Sequence, residues 1–287
     1  MNYQEQYAAK RVTPAEAVRN VHNGDTIVVP TAVAEPPALL TALSEHRRDF
    51  RDVKVSQILA VRKFGYLDPT TAEHVRHVAY FFSGATRPGF REGVVDFTPS
   101  FFSEMPQLIE RGLMPAEVVF TQVSPMDQHG YFSLGIAADY TMAAIRKARA
   151  VIVEVNENVP FAFGNCHLHI SQVTALVENN EPVLEVGLPT IGPVQEAIGK
   201  YVADLIDDGS TLQIGYGGIP VKGGDEYLFS IHARGGVSRG DVAAVQVGGH
   251  AVEHHGDRRA ALHGDGARGG GGVLWARAAP ADGAGGR

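Results

Sequence analysis

Short apolar runs recur along the first two-thirds of the chain, separated by stretches with helical spacing. Thr13-Pro14-Ala15-Glu16 has the form of a helix start: Thr as N-cap, Pro at the first helical position, Glu at the third. The helix carries Ala17, Val18 and Val21 and stops near Asn23-Gly24. Residues 25–30 then read as a short buried strand. Glu35-Pro36-Pro37 opens a helix through 38–43, and residues 53–59 and 78–82 read as the next two strands. Residues 117–123 form a strand that ends in the turn Ser124-Pro125-Met126-Asp127-Gln128-His129-Gly130, and residues 131–134 leave that turn as a partner strand. A helix over 138–150 ends on Arg146, Lys147 and Arg149, which suits the negative end of its dipole. Residues 150–155 are a buried strand. This alternation predicts an α/β fold with a mostly parallel sheet covered by helices.

Beyond Asn179-Asn180-Glu181-Pro182, residues 187–193 read as a linker. A helix follows over 194–206, with Ile198, Val202, Leu205 and Ile206 on one face, and then a strand over 211–214. A second domain therefore starts near residue 190. The pattern decays after Pro220. Residues 221–287 hold 17 of the 33 glycines, with only Leu228 and Ile231 as leucine or isoleucine before Leu262. Residues 242–247 read as one strand at most. The expected division is 1–189 as a complete α/β domain, 190–220 as the start of a second, and 221–287 as an aberrant Gly/Ala/Arg-rich tail with little order.

The apolar fraction of 44% supports a sizeable core, and the net charge of −7 argues against nucleic acid as the main partner. A lone cysteine, Cys166, excludes an intramolecular disulfide. No signal-like or membrane-spanning run is present, so the expectation is a cytoplasmic enzyme with no membrane partner.

Several segments carry polar chemistry. Gly215-Tyr216-Gly217-Gly218 follows a strand, and its bare backbone suits an oxyanion hole or phosphate cradle as well as it suits a tight connection. It has neither the lysine of a P-loop nor the spacing of a dinucleotide fingerprint. Cys166, His167 and His169 raise zinc binding or a cysteine nucleophile, but no second Cys/His pair lies nearby, and polar residues lining an edge are favoured; no metal is expected. Asp127, His129 and Gly130 read as turn chemistry. Arg87 and Arg91 flank a loop at Pro88-Gly89-Phe90. Among Glu35, Glu104, Glu154, Glu157, Glu178 and Glu226 the sequence singles out no nucleophile, so the catalytic residue is left unassigned.

Four segments together resemble the acetyl-CoA hydrolase/transferase family, in particular its 4-hydroxybutyrate and acetate CoA-transferases. They are residues 124–131, 164–171, Leu188-Pro189-Thr190-Ile191-Gly192 and 212–220. The resemblance runs to Pro220. It implies two open, mostly parallel α/β domains with the active site between them, the second truncated here, and a homo-oligomer. It also implies coenzyme A and acyl-CoA as substrates, with no permanently bound cofactor, and a small carboxylate as acceptor. CoA passes through a glutamyl-CoA intermediate, and Gly215, Tyr216, Gly217, Gly218 and Ile219 meet the thioester. Hydrolysis is the neighbouring alternative, with water as acceptor. The glutamate expected in a His-Thr/Ser-Glu-Met segment after the turn is not found; the region reads Ile231-His232-Ala233-Arg234, and Glu226 lies too early. The chain is therefore expected to be impaired, or a non-catalytic CoA-binding remnant. A shifted reading frame in a GC-rich gene would give the composition of 267–287.

Overall fold

The computed structural model describes residues 2–185, 192–203, 205, 211–214 and 244–247. The chain divides into two compact units between Glu185 and Val186.

The first unit is built on seven parallel strands. In chain order they are β1 (Thr26–Val28), β2 (Val53–Gln57), β3 (Val75–Ala79), β4 (Val95–Phe97), β5 (Val118–Val123), β7 (Ala150–Val155) and β9 (Ala175–Glu178), and their spatial order is β4-β3-β2-β1-β5-β7-β9. The remaining two, β6 (Tyr131–Ser133) and β8 (His167–His169), form a separate antiparallel pair. Burial at every position of β1, β5 and β7 is why these strands read as largely apolar runs. Side chains alternate across the sheet. Ile27, Val55, Val118, Phe120 and Ile152 pack on one face with Leu39, Leu40 and Leu43 of α3 (Pro37–Glu45). Val28, Val119, Val151 and Val153 pack on the other with Met105 and Ile109 of α5 (Met105–Glu110) and Ala143 and Ile145 of α6 (Thr141–Lys147).

The helix predicted at Thr13 is present. Its capping box is complete: Glu16 N–H donates to Thr13 Oγ1 and Thr13 N–H to the Glu16 carboxylate. It is one α-turn, Pro14–Ala17, extended by a 3-10 turn to Asn20. The helix expected over 138–150 begins only at Thr141, where Asp139 accepts the Thr141 N–H and hydroxyl in a local turn. The strand read at 78–82 is instead Val75–Ala79, because His77 is an inward-facing, 1% exposed member of it and hides the alternation. Residues 131–133 ladder with β8 rather than with β5. Arg87–Arg91 is a short helix, not a loop; a Cβ on its Gly89 would lie 2.7 Å from Val95 Cγ2. The helix Tyr3–Lys10, α5, and strands β4 and β9 were not predicted at all.

In the second unit, Pro193–Ala203 is a helix, and Thr211–Ile214 pairs in parallel with Ala244–Val247. These lie where the sequence placed a helix and two strands.

His77 generates a pH prediction. Both ring nitrogens are buried without a partner among the described residues, and burial lowers the imidazole to about 4. Unfolded histidine titrates near ~6.5. The fold therefore excludes a proton that the unfolded chain binds, and this stabilisation is complete above about 6.5 and is lost as pH falls toward 4. His77→Phe is expected to lack this component, so denaturant unfolding at pH 7 and pH 5 should show wild type losing more stability than the variant; equal losses would contradict it.

Candidate functional site

After β1 the chain steps outward through β2, β3 and β4, then returns to the other side of β1 as β5. The connections leaving β1 and β5 therefore diverge, and the carboxyl ends of the strands at this switch point are the place where ligands of open α/β sheets bind. The loops that follow β1, β2 and β7 meet the end of β5 there.

The β1 loop, residues 29–36, is held in an unusual conformation. Ala32 has φ 52°, a left-handed setting that costs a non-glycine residue about 1 kcal/mol. It persists because the loop is fastened on both sides: Ala32 N–H donates to Leu59 O at 2.8 Å and Thr31 N–H to Asp139 Oδ2 at 3.0 Å. Such strain concentrates at functional sites.

Glu35 ends this loop, is 2% exposed, and lies at the centre of the polar network. Its carboxylate accepts from Gln57 Nε2 at 3.0 Å, Val61 N–H at 2.9 Å and Arg62 N–H at 3.2 Å. Its own carbonyl accepts from Gln122 Nε2. Asn156 Nδ2 donates to Gln122 Oε1 at 3.0 Å and to Glu181 O at 2.7 Å, and Arg62 Nη1 reaches Glu181 Oε1 at 2.8 Å. Burial pushes the Glu35 carboxyl up from 4.5 to about 7, against the opposing pull of its hydrogen bonds and Arg62.

Glu154 is the second perturbed carboxyl, also raised to about 7 by burial. It accepts from Ala38 and Leu39 N–H at 2.9 and 3.1 Å, so it occupies the N-terminus of α3 and satisfies donors that the helix leaves open. Asn179 Nδ2 donates to its other oxygen at 2.7 Å. Both glutamates are enclosed and fully bonded, which suits holding loops rather than attacking a substrate. Glu104 and Glu157 are exposed, Glu178 accepts from Tyr7 and Arg11, and Glu226 lies outside the described residues.

The turn after β5 has the chemistry read from sequence. Asp127 Oδ1 accepts from His129 N–H and Tyr131 N–H, each at 2.8 Å, and Gly130 takes φ 82°. The Cys166 segment does not converge. Its thiol is buried, donates to Ala162 O, and is pushed up by burial, so it stays protonated and unreactive. His167 and His169 face Tyr131 from one side of β8, with ring centroids 6.5 and 4.9 Å away. His167 Nε2 lies 2.9 Å from Ala162 O and His169 Nδ1 lies 2.8 Å from Ser171 Oγ. Among the described residues no group of three His, Cys, Asp or Glu is placed to hold a metal, and no helix is long and apolar enough to cross a membrane. Gly215, Tyr216, Gly217, Gly218 and Ile219 lie outside the described residues.

Sequence reading missed Gln57, Gln122 and Asn156. The signal was present: each is an amide at or beside the carboxyl end of a largely buried strand.

The raised Glu35 carboxyl sets the sign of a stability change. The folded state holds its proton more tightly than the unfolded chain, so this contribution is present below about 4.5 and is lost as pH rises to about 7. Glu35→Gln cannot ionise. Unfolding free energies should move in its favour, relative to wild type, by about 3 kcal/mol between pH 4.5 and pH 8; a pH-independent difference would show that Glu35 titrates normally.

Residues 1–186 match the acetyl-CoA hydrolase/transferase N-terminal domain. The succinyl-CoA:cyclohexane-1-carboxylate CoA transferase of Geobacter metallireducens is 41% identical over 219 residues, covering 76% of this chain and 50% of that protein. The 4-hydroxybutyrate coenzyme A transferase of Clostridium kluyveri is 39% identical over 220 residues, covering 77% and 51%. The crystal structure of RipA from Yersinia pestis superposes with a TM-score of 0.75 at 31% identity, covering 85% of this chain and 62% of that one. This chain thus spans about half the length of the curated relatives it matches. The domain match, the parallel sheet and the sequence identity agree: the chain belongs to the acetyl-CoA hydrolase/transferase family.

Proposed function

We propose that this chain derives from a CoA-transferase that moves CoA between an acyl-CoA and a small carboxylate, and that in its present form it binds acyl-CoA without completing the transfer. The observation that supports the chemistry most strongly is the 41% and 39% identity to proteins named as CoA transferases. The carboxyl edge of the first unit is the substrate-facing edge on this reading. Its loops are fixed before substrate arrives, as positioning requires.

In the proposed reaction a glutamate carboxylate oxygen attacks the thioester carbonyl and expels CoA thiolate, leaving a mixed anhydride. The thiolate then attacks the glutamyl carbonyl, which forms glutamyl-CoA and releases the first carboxylate. An acceptor carboxylate reverses these two steps with its own oxygen. Splitting the exchange in this way is covalent catalysis. Backbone N–H groups of Gly215–Ile219 are assigned to the thioester oxyanion, where fixed donors stabilise the developing charge. No His-Thr/Ser-Glu-Met segment follows that turn, so the nucleophile is missing. Neither Glu35 nor Glu154 replaces it, since both are buried and committed to loop and helix backbone.

Two measurements on the purified chain separate the parts of this reading. Calorimetric titration with butyryl-CoA should give saturable heat. Incubation with butyryl-CoA and acetate should yield no acetyl-CoA above the uncatalysed level. Robust acetyl-CoA formation would show that a nucleophile is present after all. Absence of heat would remove CoA binding, and release of free CoA without acetate would favour hydrolysis.

A further inference from the structure

Four loops at the carboxyl edge and the end of β5 are joined by a closed circuit of hydrogen bonds. Starting at Glu35 after β1, the circuit passes to the Arg62 backbone N–H after β2, and from the Arg62 guanidinium to the Glu181 carboxylate after β9. It continues from Glu181 O to Asn156 Nδ2 after β7, from Asn156 to Gln122 Oε1 in β5, and from Gln122 Nε2 back to Glu35 O. Gln57 at the end of β2 braces it by donating to both Glu35 Oε1 and Pro30 O.

We propose that Asn156 and Gln122 are positioning residues for acyl-CoA binding: through this circuit they set the conformation of the Ile58–Arg62 loop, to which neither side chain is hydrogen-bonded. This inference rests on the functional reading given above. The physical basis is that each bond of the circuit satisfies a buried polar atom, so a member that moves leaves its partner in the circuit unsatisfied. That penalty, rather than the net gain of any one bond, makes the circuit act as a unit. The strands beneath are rigid and their register is fixed by burial on both faces. The loops have no comparable regular pairing, and the circuit joins them.

The sharpest perturbation is Asn156→Asp. Asparagine Oδ1 accepts from Asn158 N–H and Nδ2 at 2.9 and 3.0 Å, and aspartate keeps that turn while losing both Nδ2 donations to the circuit. Gln122→Met is the second variant; it cuts the circuit without adding a charge. Thermal unfolding first establishes that each variant is folded. Amide hydrogen exchange is then followed by NMR, and butyryl-CoA binding by calorimetry. The circuit predicts that in either folded variant the Val61 and Arg62 amides exchange about 10-fold faster. Butyryl-CoA affinity should fall about 5-fold. Faster exchange confined to residues 120–124, 156–158 and 181, with unchanged Val61 and Arg62 protection, would overturn the coupling. Loosened Val61 and Arg62 amides with unchanged affinity would overturn the positioning role. If wild type itself gives no heat with butyryl-CoA, the functional reading fails and the positioning role with it, while the exchange pattern still decides whether the circuit exists.

Discussion

The buried carboxylate of Glu35 is the interaction on which the carboxyl edge depends. A parallel sheet covered on both faces has no room for water along its strands, so polar groups collect where the strands end. Here those ends would present unpaired loop N–H groups to a largely apolar surround. Glu35 accepts two of them, from Val61 and Arg62, and its main chain accepts an amide from Gln122. The cost is a carboxyl enclosed well enough that burial outweighs its donors. A left-handed Ala32 three residues earlier lies in the same loop. Glu154 makes the parallel compromise, closing the N-terminus of α3 at the expense of its own solvation.

Much of the fold is legible in the sequence because both faces of the sheet are buried. The runs at 118–123 and 150–155 are uniformly buried and were read almost to the residue. The capping box at Thr13 and Glu16 is encoded in four adjacent residues. Legibility failed where a polar residue occupies an inward position, as His77 does in β3, and where a strand is short, as with β4. The pairing of Tyr131–Ser133 with His167–His169 joins segments far apart in the chain, and local pattern carries no information about such partners.

The candidate site divides in the same way. Turn chemistry at Asp127 and Gly130 is local and was read directly. The Cys166 and histidine cluster is dense in sequence, yet its polar atoms are spent on neighbouring groups: the Cys166 thiol and His167 on Ala162 O, and His169 on Ser171. The circuit through Glu35, Arg62, Glu181, Asn156 and Gln122 shows the reverse: its members are distant in sequence and meet only because parallel register brings the strand ends together. Polar amides at the ends of buried strands are its only local trace. The glycine turn at Gly215–Gly218, the strongest sequence signal for CoA, lies outside the described residues and stands on resemblance.

The central claim is that the carboxyl edge around the β1/β5 switch receives the acyl-CoA. Hydrogen–deuterium exchange of the purified chain with and without saturating butyryl-CoA tests it most directly. The account predicts ligand-induced protection in residues 29–35, 58–62 and 124–130, with the amino-terminal ends of the same strands unchanged. Protection confined to those amino-terminal ends, or to the outer face of α3, would contradict it.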